Sequence, residues 1–323
     1  MNFSKPRVAI YYYVLPSTGM RNDGPPLFLQ GSFRRLLNGK LDFGDDSGNV
    51  VHLWPRPTSK DFGQFDLHVF VDHGEDALNV PTPLDENGWM PPSPNAYWVS
   101  DAHLGYDYRL KMAKKFDYVF CCQRKAMADF ERDGVPKEKL FFLPHAVEPT
   151  AYWPMDIIEK WDWAFVGHLN CSERIDLLDR FCKEFPNFYL GWRNPQAPGY
   201  NVLEDAARKL CQAKIIPNHT VKDDAPTMRF FEAMACKRLF LTNELPTISE
   251  LFKSGKHLWT YRSIDEAVSI AKALIVDDGL RQEIAQAGYD EVMAKHTYDH
   301  RALEILKQTI NYTPALKEGL VPC

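Results

Sequence analysis

Between Asn218 and Cys236 the chain reads Asn-His-Thr-Val-Lys-Asp-Asp-Ala-Pro-Thr-Met-Arg-Phe-Phe-Glu-Ala-Met-Ala-Cys, a polar loop running into an apolar stretch. Pro226 and Thr227 stand where a helix should start, with Asp224 or Thr227 as candidate cap. The first turn of such a helix gathers unpaired N–H groups and the positive end of the helix dipole, so it suits an anion such as a phosphate. Arg229 and Glu232 are three residues apart and share one face of that helix, where they meet one ligand or each other. A surface ion pair is the plainer reading of that spacing. Asn218 and His219 precede the loop at a strand end; His219 either touches a docked anion or bonds to the loop itself.

A second polar group follows an apolar strand in the first half, Tyr97-Trp98-Val99-Ser100-Asp101-Ala102-His103. Side chains just past a strand end project into the crevice of a parallel sheet. Asp101 and His103 are therefore candidate ligand contacts, and His103 a candidate proton shuttle. Asp101 as the cap of the next helix is the alternative. His73, in Val71-Asp72-His73-Gly74-Glu75-Asp76, ends another strand in the same way, with a structural role as the plainer reading. His145 lies beside Pro144, where it either reaches a ligand or serves the connector's conformation. His296 and His300 are four apart on a possible helix but have no third ligand, which is weak grounds for a metal. No Asp-x-Asp occurs in the chain, so no divalent-metal clamp is expected and catalysis should be metal-independent.

These residues need strand ends and helix starts to hold them. Arg7–Leu15 is nearly continuous in apolar, β-branched and aromatic residues and stops at Pro16, the pattern of a buried parallel strand. Further strands are expected at Val50–Trp54, Leu67–Asp72, Ala96–Ser100, Tyr118–Cys122 and Leu140–Leu143, with helices at Leu27–Leu37, Tyr106–Lys115 and Gln123–Asp133. The segment Leu143–Pro154 contains Pro144, Pro149 and Pro154 and no periodicity, so it reads as a connector. It divides the chain into domains at 1–148 and 149–323, the last helix able to pack back on the first. The second alternation places strands at Trp161–Val166, Phe188–Leu190, Ala213–Ile216 and Leu239–Thr242. Its helices are expected at Ser172–Phe185, Val202–Cys211, Thr227–Cys236, Asp265–Val276, Leu280–Ala294 and Asp299–Tyr312. The expected fold class is α/β: two Rossmann-like domains facing a central cleft, with ligands at the carboxyl ends of the strands.

Composition narrows the functions open to such a fold. The chain has 323 residues, 45% hydrophobic and 25% charged, which fits two globular cores and excludes a disordered or coiled-coil chain. A net charge of −5 advertises no basic face for nucleic acid or anionic membrane. No apolar run reaches the roughly 18–20 residues of a membrane span, and Met1–Pro6 lacks a signal-peptide core, so a cytoplasmic protein is expected. Seven cysteines without a Cys-x-x-Cys read as free thiols.

The run Met228–Cys236, with Leu239–Thr242 and Glu250–Phe252 after it, resembles the donor-binding half of group 1 glycosyltransferases, in particular the spore-maturation (CgeB-like) branch, whose fold is GT-B. The likeness continues through Ile284–Tyr289 and Lys295–Arg301. Upstream it includes Trp163–Gly167 with Arg174, and Asp117–Phe120 through Leu143–Ala146, so that it covers about residues 96–305. The resemblance implies transfer of a sugar from a nucleotide-diphosphate sugar, with retained anomeric configuration and no cofactor beyond that substrate. Its implied donor contacts are Gly167, Arg174, Asn218, His219, Thr227, Met228, Arg229 and Glu232. In that family an acidic residue, seven intervening residues and a Glu bracket the donor, the Glu on the ribose hydroxyls; here the spacing selects Asp224 and Glu232. One ionised carboxylate can accept both hydroxyl protons. Asp224 stands where the family commonly has Glu, and Lys237 where it usually has Gly. Catalytic roles fall to Asp101, His103, Asp224 and Arg229, with Arg229 and Arg174 meeting the departing diphosphate. Trp192–Pro195 would line the base pocket, while Tyr11, Tyr12, Tyr13 and Tyr200 read mainly as packing. The acceptor, whether glycan, lipid-linked glycan or protein, is not specified by these residues. The alternatives are a nucleotide-sugar epimerase of the same fold and a catalytically lapsed sugar- or nucleotide-binding protein. An NAD-dependent oxidoreductase is opposed by the lack of Gly-x-Gly-x-x-Gly between Tyr13 and Arg21.

Overall fold

The computed structural model describes residues 5–12, 24–38, 50–52, 65–72, 90–169, 171–191, 202–220 and 226–313. The chain forms two compact units, one running to Pro144 and resuming at Tyr298, the other from His145 to Thr297.

The first unit is built from β1 (Val8–Tyr11), α1 (Pro25–Asn38), β2 (Val50–His52), β3 (Leu67–Asp72), β4 (Asn95–Val99), α2 (Tyr106–Lys115), β5 (Tyr118–Cys121), α3 (Arg124–Arg132) and β6 (Leu140–Phe142). Its sheet runs β2-β1-β3-β4-β5-β6 with every pairing parallel. β3 and β4 are buried along their whole length because helices cover both faces. Tyr97, Val99, Val119 and Cys121 pack against Met112 and Ala113 of α2 and Phe130 of α3.

The second unit contains β7 (Trp161–Val166), α4 (Ser172–Glu184), β8 (Phe188–Gly191), α5 (Val202–Cys211), β9 (Ala213–Asn218), α6 (Met228–Ala235), β10 (Leu239–Asn243), α7 (Pro246–Leu251), β11 (Trp259–Tyr261), α8 (Ile264–Val276) and α9 (Asp278–Lys295). The sheet order is β11-β10-β9-β7-β8, again parallel throughout. Trp163 anchors its core: the indole stacks on Phe188 at 4.8 Å and donates from Nε1 to Phe185 O at 3.1 Å. Leu177 and Phe181 of α4 and Ala267 and Ala271 of α8 close around it. The last helix, α10 (Tyr298–Ile310), belongs to the first unit, where Tyr298 packs on Phe28 of α1 and Asp299 pairs with Arg35 at 2.7 Å.

Most elements fall within a residue or two of their expected bounds. α7 and β11 were not anticipated: six and three residues are too short to display a period. β1 ends at Tyr11, Tyr12 already lying outside the strand; the rest of its expected continuation, 13–15, and that of β2, 53–54, lie outside the described residues. β9 runs on to Asn218 through Pro217, where an end at Ile216 was expected, because its pairing with β10 continues to Thr242↔Asn218.

Candidate functional site

In the second unit the chain leaves β7 in one direction and β9 in the other, which makes their carboxyl ends the switch point where doubly wound sheets take ligands. The β7–β9 register runs Trp161↔Ala213 and Trp163↔Ile215. Past it Pro217 has no N–H to contribute, and Arg229 of α6 bridges the strand ends instead. Its Nε donates to Val166 O at 3.2 Å and its Nη1 to Asn218 Oδ1 at 2.9 Å. The guanidinium carbon sits 4.4 Å from the centre of the Phe165 ring, a cation–π placement that fixes the plane of the group. Gly167 follows directly with φ at 153°, and a Cβ there would collide with Arg229 Nη2. Glycine is thus required at this turn both by its backbone and by the guanidinium lying on its Cα.

The residues beside Arg229 divide into supports and surfaces. Asn218 is fully buried: its amide nitrogen donates to Thr220 Oγ1 and Thr242 Oγ1, both at 3.1 Å, while its Oδ1 holds Arg229. The expected ligand contact by Asn218 is replaced by a positioning role, since every polar group of its side chain is engaged and none is exposed. Arg174 is 5% exposed and serves as a strut. Nη1 donates to His168 O at 2.7 Å, and Nε and Nη2 donate to His219 O at 3.2 and 2.9 Å, tying the loop after β7 to the end of β9. Burial pulls its pKa below the ordinary arginine value. His219 is half-buried, its Nδ1 3.1 Å from Tyr261 Oη; burial lowers its pKa below 6.5, the nearby Arg174 adds to that, and Glu173 opposes it.

Thr227 occupies the N-cap position of α6, but its hydroxyl makes no capping bond, and its buried Oγ1 has no hydrogen-bond partner. An orphan hydroxyl beside the N–H groups of a helix start is suited to an anionic oxygen. Met228, Arg229 and Glu232 on α6 are half-buried. Asp224, Trp192, Tyr200, His73 and Tyr13 lie outside the described residues.

In the first unit Asp101 and His103 sit in the turn after β4, Asp101 half-buried and accepting from Ser100 Oγ at 3.1 Å, His103 exposed. Asp101 does not cap α2; the turn intervenes and Gly105, with φ at 58°, is the N-cap. Sequence reasoning missed the network beneath this turn. Asp72 at the end of β3 and Arg109 of α2 form an ion pair at 2.8 Å with both side chains fully buried, and Tyr97 Oη donates to Asp72 Oδ2 at 2.5 Å. Arg109 Nη1 also donates to Asp101 O at 2.6 Å, so the pair fixes the candidate turn. The available signal was Arg109 lying at i, i+3, i+4 spacing with buried Met112 and Ala113. His296 and His300 do not share a helix: His296 caps α9 against Phe231 and Phe252, and His300 belongs to α10. Among the described residues no cluster of three or more His, Cys, Asp or Glu is arranged to hold a metal, and no helix is long and apolar enough to cross a membrane.

Two doubly wound α/β units, the second with a cationic switch point, define the GT-B fold of glycosyltransferases. Residues 176–307 match the model of a glycosyl transferase-like family, Glyco_trans_1_2. Among solved structures, Anabaena Alr3699/HepE in complex with UDP and glucose is similar with a TM-score of 0.62 at 13% identity, over 95% of this chain and 100% of that one. A glycosyltransferase from Rickettsia africae ESF-5 gives 0.61 at 10% identity, over 96% and 100%. TarM gives 0.55 at 12% identity over 75% of this chain, which spans only 54% of TarM. No curated protein matches the chain in sequence.

Proposed function

We propose that this protein is a glycosyltransferase that takes its sugar from a nucleotide-diphosphate sugar held at the carboxyl ends of β7 and β9. The observation carrying this reading is the convergence there of Gly167, the Arg229 guanidinium and the α6 start with its orphan Thr227 hydroxyl. A diphosphate leaving group gains negative charge as the glycosidic bond breaks. Arg229 and the amide groups at the start of α6 meet that charge in place, with no reorganisation at the moment of reaction. Glu232, one turn along α6 from Arg229, is assigned to the ribose hydroxyls, Met228 to the adjoining wall and Asp224 to the sugar. Arg174 and Asn218 hold this frame from behind through the carbonyl and amide bonds described above. Asp101 and His103 are assigned to the acceptor side, with His103 as proton carrier for the attacking hydroxyl. Their turn is pinned by the buried Asp72–Arg109 pair, which favours a defined position for both.

The likeness in Met228–Cys236 and Lys295–Arg301 supports placement in the CgeB-like branch of group 1, with retention of anomeric configuration. The lack of Asp-x-Asp supports metal-independent transfer. HepE was solved with UDP and glucose, which makes UDP-sugars the first donors to try. The test is release of nucleoside diphosphate from UDP-, GDP- and dTDP-sugars offered with glycan, lipid-linked glycan and protein acceptors, with and without EDTA. Acceptor-dependent release that survives EDTA and yields a product of the donor's anomeric configuration by NMR is expected. Conversion of the donor sugar without any acceptor would mark an epimerase instead, and binding without turnover a sugar- or nucleotide-binding protein.

A further inference from the structure

His219, the residue after Asn218 at the carboxyl end of β9, is held on three sides. Its carbonyl accepts from Arg174 Nε and Nη2, the Thr220 N–H that follows donates to Asn243 Oδ1 at 2.8 Å, and its ring meets Tyr261 of β11. The contact with Tyr261 fixes which ring nitrogen carries hydrogen. Tyr261 is buried, and burial drives its pKa above the ordinary tyrosine value, so its hydroxyl keeps its one proton. That proton goes to Asn218 O, 2.8 Å away, because a carbonyl can only accept. Toward His219 Nδ1, at 3.1 Å, Tyr261 Oη is then the acceptor, so Nδ1 bears the hydrogen of the neutral ring and Nε2 keeps its lone pair. Among the described residues nothing bonds to Nε2, and His219 is only half-buried, which leaves that lone pair to a ligand.

We propose that His219 selects the sugar of the donor: Nε2 accepts a hydrogen bond from a hydroxyl of the transferred sugar, and Tyr261 is the residue that positions the ring. The inference deepens the nucleotide-sugar reading and rests on it. Each part of such a donor offers something different. Diphosphate oxygens carry lone pairs and negative charge, which repel the Nε2 lone pair; Arg229 and the start of α6 suit them instead. The ribose hydroxyls are assigned to Glu232. Sugar hydroxyls are the donors that remain for an uncharged acceptor. Burial and the Arg174 guanidinium both favour the neutral ring, with Glu173 opposing, so Nε2 is an acceptor at neutral pH. Because backbone and ring are both fixed before the ligand arrives, a sugar that lacks the hydroxyl or turns it away leaves the bond unmade.

Two measurements test the proposal. The first needs no ligand: nitrogen NMR of the imidazoles in the 15N-labelled chain at about pH 7.5 should show His219 with hydrogen on Nδ1, and Tyr261→Phe should shift it toward the other tautomer. The second is calorimetric titration of UDP, GDP, dTDP and ADP, followed by the glucose, galactose, mannose and N-acetylglucosamine conjugates of whichever binds. His219→Ala should weaken the tightest conjugate about 3- to 10-fold and the free diphosphate less than about twofold. His219→Gln, whose amide oxygen can accept in the place of Nε2, should recover part of the loss. Thermal melts check that the variants remain folded, and the wild-type tautomer is decisive if they do not. Hydrogen on Nε2, equal losses for diphosphate and conjugate, or no loss for either would overturn the contact while leaving the donor site in place. Binding of no diphosphate at all would remove the donor site and this contact with it.

Discussion

Lys237 holds φ at 54°, a left-handed conformation that costs an L-residue about 1–2 kcal/mol relative to glycine. It sits there because α6 ends in a Schellman turn: Lys237 N–H donates to Met234 O at 2.9 Å and Arg238 N–H to Ala233 O at 3.2 Å. The geometry explains why the resembled family usually has glycine after its Met-Ala-Cys run, a departure that the sequence showed without its reason. Lys237→Gly is expected to raise the unfolding free energy by about 0.5–1 kcal/mol, the relief of strain being partly offset by the entropy of glycine in the unfolded chain. Denaturant titration of the two proteins measures it, and unchanged donor binding in the variant is expected. Elsewhere at this scale the sequence put Gly167 at a strand end and Thr227 and Arg229 at a helix start, and the structure brings Arg229 against Gly167 and the end of β7. The supporting roles were not legible there. That Arg174 and Asn218 serve backbone carbonyls, hydroxyls and Arg229 depends on partners up to 45 residues away, which no local spacing encodes.

Among the elements, α9 packs closely through a glycine. Gly288 brings it so close to the loop before β11 that a Cβ would run into His257 O and press on Met234 of α6. Since the obstacle is backbone, it cannot rotate away, and Gly288→Ala is expected to cost about 1–3 kcal/mol and to loosen α6 from behind. Thermal unfolding checks the first part; a melting temperature equal to wild type would show that the helix can shift at no cost. β3 and β7 were legible at their observed bounds because each is an apolar run closed by a polar residue or glycine. β11 was not, because three residues at a sheet edge acquire strand geometry from their neighbour β10 rather than from their own pattern. The Asp72–Arg109 pair likewise joins β3 to α2 across 37 residues, and only the assembled sheet brings the two charges together.

For the whole molecule, two histidines set a pH dependence. His219 and His257 both have pKa values below the ordinary 6.5, chiefly through burial, so they hold protons less tightly folded than unfolded. The unfolded chain therefore binds more protons just below that value, and stability falls as the pH falls through it. Melting temperatures recorded from about pH 7 to about pH 5.5 should decline, and His219→Gln should flatten part of the slope. The two-unit α/β architecture was legible because strand and helix alternate twice around a proline-rich connector. The return of α10 to the first unit is set by contacts such as Tyr298 with Phe28, remote in sequence. The most direct test of the account is calorimetric titration of UDP, GDP, dTDP and ADP into the wild-type chain and Glu232→Ala. We expect one nucleoside diphosphate to bind selectively, and loss of the charged hydrogen bonds in Glu232→Ala to weaken it by about 10- to 150-fold. Absence of binding by every diphosphate, or equal affinity in Glu232→Ala, would contradict the assignment of the donor site to β7, β9 and α6.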